Sequence, residues 1–298
     1  MKVPIVLLVV VAWSCAAPPQ QSSSGNLVAK NAHPVLLSSE FKFTEGPAAD
    51  ADGNVFFTDQ PNDRIMKWSP AAGITEYMKD AGRSNGLYFD RRGNLLSCAD
   101  EKNELWSIDK NKNVTVLITG YKGRKLNGPN DLWVDPKGGV YITDPYYQRD
   151  YWTRTQKEIE QENVYYLTPN RNELRMVMDG FIRPNGIIGT ADGGYLYIAD
   201  IGAGKTYRFN IQPDGSLSEK KLFVEMGSDG LTIDEKGNIY LTGKGVTVFN
   251  PAGQQVEHID IPEDWTANLC FGGKDRKTLF ITASKSVYTL QMNVRGVK

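Results

Sequence analysis

Residues 126–145 read LNGPNDLWVDPKGGVYITDP, and the two halves carry unlike signals. The second half is a strand entry. Pro136, Lys137, Gly138 and Gly139 are turn residues, and residues 140–143 form a β-branched and aromatic run. The first half sets an amide and a carboxylate, Asn130 and Asp131, directly before the apolar Leu132, Trp133 and Val134. Such a pair at the mouth of a strand needs a reason, and its recurrence supplies one.

The phrase occurs as DADGNVFFTD at 50–59, DRRGNLLSCAD at 90–100 and DPKGGVYITD at 135–144. It returns as ADGGYLYIAD at 191–200, DEKGNIYLTG at 234–243 and, degenerately, GKDRKTLFITAS at 273–284. The turn glycines Gly53, Gly93, Gly138, Gly193 and Gly237 are separated by 40, 45, 55 and 44 residues. A period near 40 with several strands per unit is the sign of a β-propeller. In the second unit the strands fall at 86–90, 94–99, 104–108 and 114–118. The sixth unit has room for only three, the last at 287–291, and VLLS at 35–38 is the available fourth. The expected fold is therefore all-β: a six-bladed propeller with four-stranded blades, its ring closed by the N-terminal strand.

Eight residues before each turn glycine stand Glu45, Asn85, Asn130, Asn185 and Asp229, with Asn268 at the matching place in the sixth unit. Equivalent positions lie at equivalent radii, so six polar side chains should ring one end of the central channel. Asn130 is polar because its strand begins at the axis. Two carboxylates and four amides, without Cys or His, make a hard oxygen-donor set. Ca²⁺ accepts six to eight such ligands, whereas Mg²⁺ demands tighter geometry and tightly bound Zn²⁺ favours nitrogen and sulfur. One divalent ion held by three or four of the six is expected, Ca²⁺ first, with Mg²⁺, Mn²⁺ or Zn²⁺ as alternatives. The bland reading is a water-filled channel capped by amides, but facing carboxylates without a cation would repel and protonate.

The 298 residues carry a formal charge of −1, which gives no electrostatic basis for a nucleic-acid partner. Two histidines, His33 and His258, leave little for imidazole chemistry. At the N-terminus, Met1-Lys2 and an apolar run over 3–13 read as a secretory signal, too short for a mature membrane span. Ala12-Trp13-Ser14-Cys15 resembles a bacterial lipobox, whose cysteine is lipidated after cleavage. The expected organisation is a signal peptide with lipobox over 1–15, a flexible linker over 16–33 and the propeller over 34–298. That makes an exported protein, periplasmic or held to the membrane through lipid on Cys15 alone, with its oligomeric state left open. Cys98 and Cys270 fall in blades two and six, which are not neighbours. A disulfide needs Cα atoms within about 7 Å, so two free thiols are expected.

The phrases TEGP, LNGPND, RPNG and SDGL on a six-fold repeat resemble the gluconolactonase family, which includes senescence marker protein and luciferin-regenerating enzyme. The resemblance spans roughly residues 40–285. It implies a six-bladed propeller that hydrolyses lactones with one axial divalent metal. By motif, it implies Glu45, Asn185 and Asp229 as ligands, Asp229 also as the proton-transfer group, and Asn130 as a metal or substrate contact. Two positions depart from the pattern. Cys98-Ala99-Asp100-Glu101 stands where many bacterial relatives have an acidic-histidine pair, and Gly128 stands where some sugar-lactone members place an arginine. Paraoxonases are similar in their axial ligands but add histidines that this chain lacks.

The longest unit owes its excess to DPYYQRDYWTRTQKEIEQEN, 144–163, which holds Tyr146, Tyr147, Tyr151 and Trp152. It is either a surface loop packed on a neighbouring blade or a wall over the site. In the second case Tyr146, Gln148 and Asp144 would contact substrate, together with Asn130 and Asn85. The reading is a metal-dependent hydrolase opening a sugar-acid lactone or related cyclic ester. Asp229 serves as base and Asp131 is the reserve, although strand alternation could aim Asp131 at a neighbouring blade. The alternatives are a surface binding propeller with a structural Ca²⁺, or an arylesterase or phosphotriesterase.

Overall fold

The computed structural model describes residues 27–297. The signal peptide, the lipobox and Cys15 lie outside them. Six four-stranded antiparallel sheets follow one another along the chain, each in strand order from the axis outward. The molecule is a six-bladed β-propeller. Blade two, for example, comprises Ser84–Phe89, Leu95–Ala99, Glu104–Ile108 and Val114–Ile118. Val35–Ser38 pairs antiparallel with Ser286–Gln291 and completes blade six. The ring is closed by mixing the two ends of the chain, as the strand count requires.

Ordered packing starts ahead of the expected boundary at residue 34. Leu27 is buried, Val28 bridges Met292, and Ala29 N–H donates to Gln291 O at 3.0 Å. These residues extend the edge of blade six and bury apolar surface there. Cys98 and Cys270 are both free.

The cores lie between faces of adjacent sheets. One cluster runs from blade three to blade five through Trp133, Tyr141, Ile198, Phe209, Leu241 and Phe249. Each side chain of this size contributes about 1.5–3 kcal/mol by leaving water. This strength sits around the axis rather than on it, so the channel mouth is free to be polar.

The candidate active site at the channel mouth

All six ring residues sit where the innermost ladder of their blade breaks. In blades one, two, four and six the register shifts between Glu45 and Ala48, Ser84 and Leu87, Pro184 and Ile187, and Thr266 and Asn268. In blades three and five the inner strands Leu132–Val134 and Leu231–Ile233 start two residues after Asn130 and Asp229. Such interruptions re-aim side chains, here toward the axis. The freed backbone is held from the second strand: Thr58 Oγ1 donates to Asn85 O at 3.1 Å, and Thr242 Oγ1 to Ala267 O at 2.8 Å. Glycine usually follows the axial residue because the next blade presses close. A Cβ on Gly86 would lie 2.6 Å from Asn130 O, and one on Gly230 would lie 2.1 Å from Asn268 Oδ1. Blades three and six depart from this, placing Asp131 and Leu269 there.

The side chains form one connected set. Asn268 Nδ2 donates to Glu45 Oε2 at 3.1 Å and lies 3.5 Å from Asp131 Oδ2. Glu45 Oε2 also accepts the Gly46 N–H at 2.7 Å. Across the mouth, Asn185 Nδ2 donates to Asp229 Oδ1 at 2.7 Å, and Trp265 Nε1 donates to Asp229 Oδ2 at 2.6 Å. Three carboxylates thus share one end of the channel. Burial raises Glu45 well above the usual carboxylate range, and Asp229 and Asp131 push it further. Burial lifts Asp131 to about 7 against its hydrogen bonds from Leu132 and Asn268, with Asp229 adding to the rise. Asp229 rises to about 6 by burial, restrained by Trp265, Asn185 and the Arg149 charge. Glu45 and Asp131 are buried, while Asp229 is partly exposed at the mouth.

The chemistry of this donor set fits a divalent cation. Asn85 Oδ1 is buried and accepts no hydrogen bond among the described residues. The hydrogen bonds of Asn130 run through its backbone, from N–H to Thr143 O at 2.9 Å and from Gly86 N–H to its carbonyl at 2.7 Å. An unpartnered buried carbonyl oxygen at the same end of the channel as three carboxylates makes a donor set that a divalent cation would suit. Of the four residues that the sequence offers as ligands, Glu45, Asn185 and Asp229 have their side chains in this hydrogen-bonded set, and Asn130 sits at the matching break of blade three. His33 and His258 take no part; His258 lies on the outer strand Gln255–Ile259.

The aromatic insertion reaches this mouth through Tyr147, whose hydroxyl accepts the other Asn185 Nδ2 hydrogen at 3.0 Å. Tyr146 and Gln148 turn to the loop itself: the Tyr146 hydroxyl donates to Gln148 Oε1, and Gln148 Nε2 donates to Arg154 O at 2.9 Å. Asp144 is a backbone clamp, accepting the Asn127 and Gly128 N–H groups at 2.9 and 2.8 Å, so both its oxygens are engaged. Asp59 and Asp200 do the same in blades one and four. Asp100, the equivalent in blade two, instead anchors the insertion. It accepts the Tyr151 hydroxyl at 2.5 Å and Arg149 Nε at 2.9 Å, while its carbonyl accepts Trp152 Nε1 at 2.9 Å. Gly128 leaves the room, since a Cβ there would meet Asp100 Oδ1 at 2.9 Å and the Trp152 ring at 3.1 Å.

The ring positions were readable from the repeat; Trp265, Tyr147 and Arg149 were not singled out. Trp265 lies in the connection from blade five to blade six and the insertion between the second and third strands of blade three, both outside the repeated phrase, where no periodic signal marks a site residue. The one available hint was an exposed-type tryptophan between polar neighbours three residues ahead of Asn268.

Residues 43–285 match the family described as SMP-30/Gluconolactonase/LRE-like region. A gluconolactonase of Zymomonas mobilis is 27% identical over 292 residues, covering 88% of this chain and 82% of that protein. A gluconolactonase structure from Xanthomonas campestris superposes with a TM-score of 0.84 at 25% identity, covering 91% of this chain and 92% of the other. A calcium-binding regucalcin from Agrobacterium tumefaciens has the same fold, with a TM-score of 0.73 at 18% identity and coverage of 88% and 94%. With its six blades, its axial ring and this match, the chain belongs to the SMP-30/gluconolactonase/LRE-like family.

Proposed function

We propose that the protein is a lactonase, a carboxylic ester hydrolase that opens a sugar-acid lactone with one divalent cation at the channel mouth. The observation that carries this is the convergence of Glu45, Asp131 and Asp229 beside the unpartnered Asn85 Oδ1. The gluconolactonases named above, which align over most of this chain, support it. Glu45, Asn130, Asn185 and Asp229 would hold the ion, and Ca²⁺ suits an all-oxygen set. When bound, such an ion supplies a Lewis acid for a carbonyl oxygen.

The chain's own residues supply the rest. Asp229 is the carboxylate with access to solvent, so it takes the proton from the attacking water and returns it to the leaving alkoxide. Trp265 and Asn185 hold its two oxygens and fix its orientation. Asp131 is buried against Leu132 and Asn268, which suits a charge-balancing role beneath the site. Asn85 has an unused carbonyl oxygen and is the polar contact available to substrate or cation. Trp265 contacts Asp229 directly and Tyr147 reaches it through Asn185, so two aromatic side chains border the base.

The test is hydrolysis of a panel of five- and six-membered sugar lactones, followed by pH-stat above the spontaneous rate. Turnover by the parent with loss of about 10²–10⁴-fold in Asp229→Asn supports the reading. A parent that opens no lactone in the panel sinks it.

A further inference from the structure

Tyr147 is flanked by two guanidinium groups. The Cζ of Arg149 lies 5.4 Å and that of Arg183 4.9 Å from its ring centroid. Arg149 comes from the insertion in blade three, and Arg183 from the connection into blade four, two residues before the axial Asn185. Both guanidinium groups thus lie against the ring whose hydroxyl meets the axial Asn185.

The other arginines of this rim are already engaged. Arg83 donates to Pro61 O at 3.0 Å, and Arg154 donates to Leu126 O at 3.0 Å and also to Asn127 O. Arg149 commits only Nε, to Asp100, which leaves its terminal nitrogens without a hydrogen bond among the described residues. The side chain of Arg183 makes no hydrogen bond or ion pair among them, and the residue is exposed. Guanidinium groups with free donors recognise carboxylate and phosphate oxygens in two-pronged fashion.

Three buried or half-buried carboxylates share the channel mouth, so an anionic molecule that docks there needs cationic side chains beside it. Arg149 is close enough to act electrostatically on Asp229.

Resting on the lactonase reading, we propose that Arg149 and Arg183, set against the Tyr147 ring at the channel mouth, bind a negatively charged substituent of the substrate. The substrate class is then a lactone bearing a carboxylate or a phosphate ester remote from the reacting carbonyl, in preference to a neutral sugar lactone.

The experiment compares kcat/KM for three lactones of one ring type ending in a hydroxymethyl, a carboxylate or a phosphate ester. At least one anionic lactone should exceed the neutral one by about tenfold, the scale of a single charge-assisted hydrogen bond. Which arm leads tells carboxylate from phosphate. Arg183→Gln should reduce that ratio by roughly tenfold. Arg183→Glu should turn it toward the neutral lactone, and added salt should erode it in the parent. A parent that prefers the neutral lactone, or a ratio untouched by Arg183→Glu, overturns the proposal. If no lactone is opened, calorimetric binding of gluconate, glucarate and 6-phosphogluconate separates the two ideas. Tighter binding of glucarate or 6-phosphogluconate than of gluconate, lost in Arg183→Glu, keeps the anion wall while the lactonase reading fails. Equal binding of all three discards the wall as well.

Discussion

Asp229 and Glu45 are both carboxylates of the ring, yet they differ in depth, and the proposed function gives them different work on that ground. Glu45 is buried under Gly46 N–H and Asn268, whereas Asp229 stands partly exposed between Asn185 and Trp265. Glu45→Gln removes a charge from the donor set and should lower metal content first. Asp229→Asn keeps an oxygen but loses the base, and should lower turnover per bound ion. Metal content measured beside rate distinguishes them: equal metal loss with unchanged turnover per ion in Asp229→Asn removes it from proton transfer. Each ring position was legible because the repeat fixes its radius. Asp131 was half legible. Alternation alone could not say whether it faced the channel, and the answer depended on the missing glycine, which leaves its carboxyl 3.5 Å from Asn268 Nδ2.

The six inner strands and the insertion follow different rules. The strands are set by turn chemistry and apolar periodicity, so their boundaries could be read to within a few residues. The break in each inner ladder could not, because it answers to contact with the next blade. Gly86 tests that contact. Gly86→Ala would drive a Cβ against the Asn130 carbonyl, and should cost about 1–3 kcal/mol of stability, seen as a lowered denaturation midpoint. A midpoint unchanged from the parent would mean that the blades have slack there. The insertion has no repeat to guide it, and the buried carboxylate of Asp100 is one of its main anchors. Asp100→Asn keeps the shape of the side chain but removes the charge facing Arg149 and Tyr151. The loop should then become sensitive to protease between 145 and 161, with KM for sugar lactones rising more than kcat falls. Unchanged proteolysis and KM would show that the loop is held by Trp152 and Ile159, both buried, without help from Asp100.

At the scale of the whole molecule, the propeller separates stability from function. Apolar clusters between blades hold the ring, and the axis carries charge that opposes folding unless it is neutralised. Asp131 and Asp229, at about 7 and about 6 in the folded chain, bind protons more tightly than unfolded carboxylates of ordinary pKa near 4. Between about pH 4 and 7 the folded state therefore holds more protons than the unfolded one, so their contribution to stability falls as pH rises. Metal-free protein should accordingly be more stable near pH 5 than near pH 7.5. Asp131→Asn should flatten that slope, and added Ca²⁺ should stabilise most at the higher pH. Thermal melts across pH, with and without Ca²⁺, check the sign; a metal-free protein that gains stability from pH 5 to 7.5 with the parent and Asp131→Asn alike would contradict it.

If one cation on the axis and the residues around it make a lactonase, titration of metal-free protein with Ca²⁺ during lactone hydrolysis will show it. Chelator-treated protein should keep its β-sheet circular dichroism and lose turnover. Activity should return in proportion to added ion and level off at one equivalent per chain, with Glu45→Gln needing far more. Full turnover by verified metal-free protein, or recovery that ignores Glu45, would contradict the account.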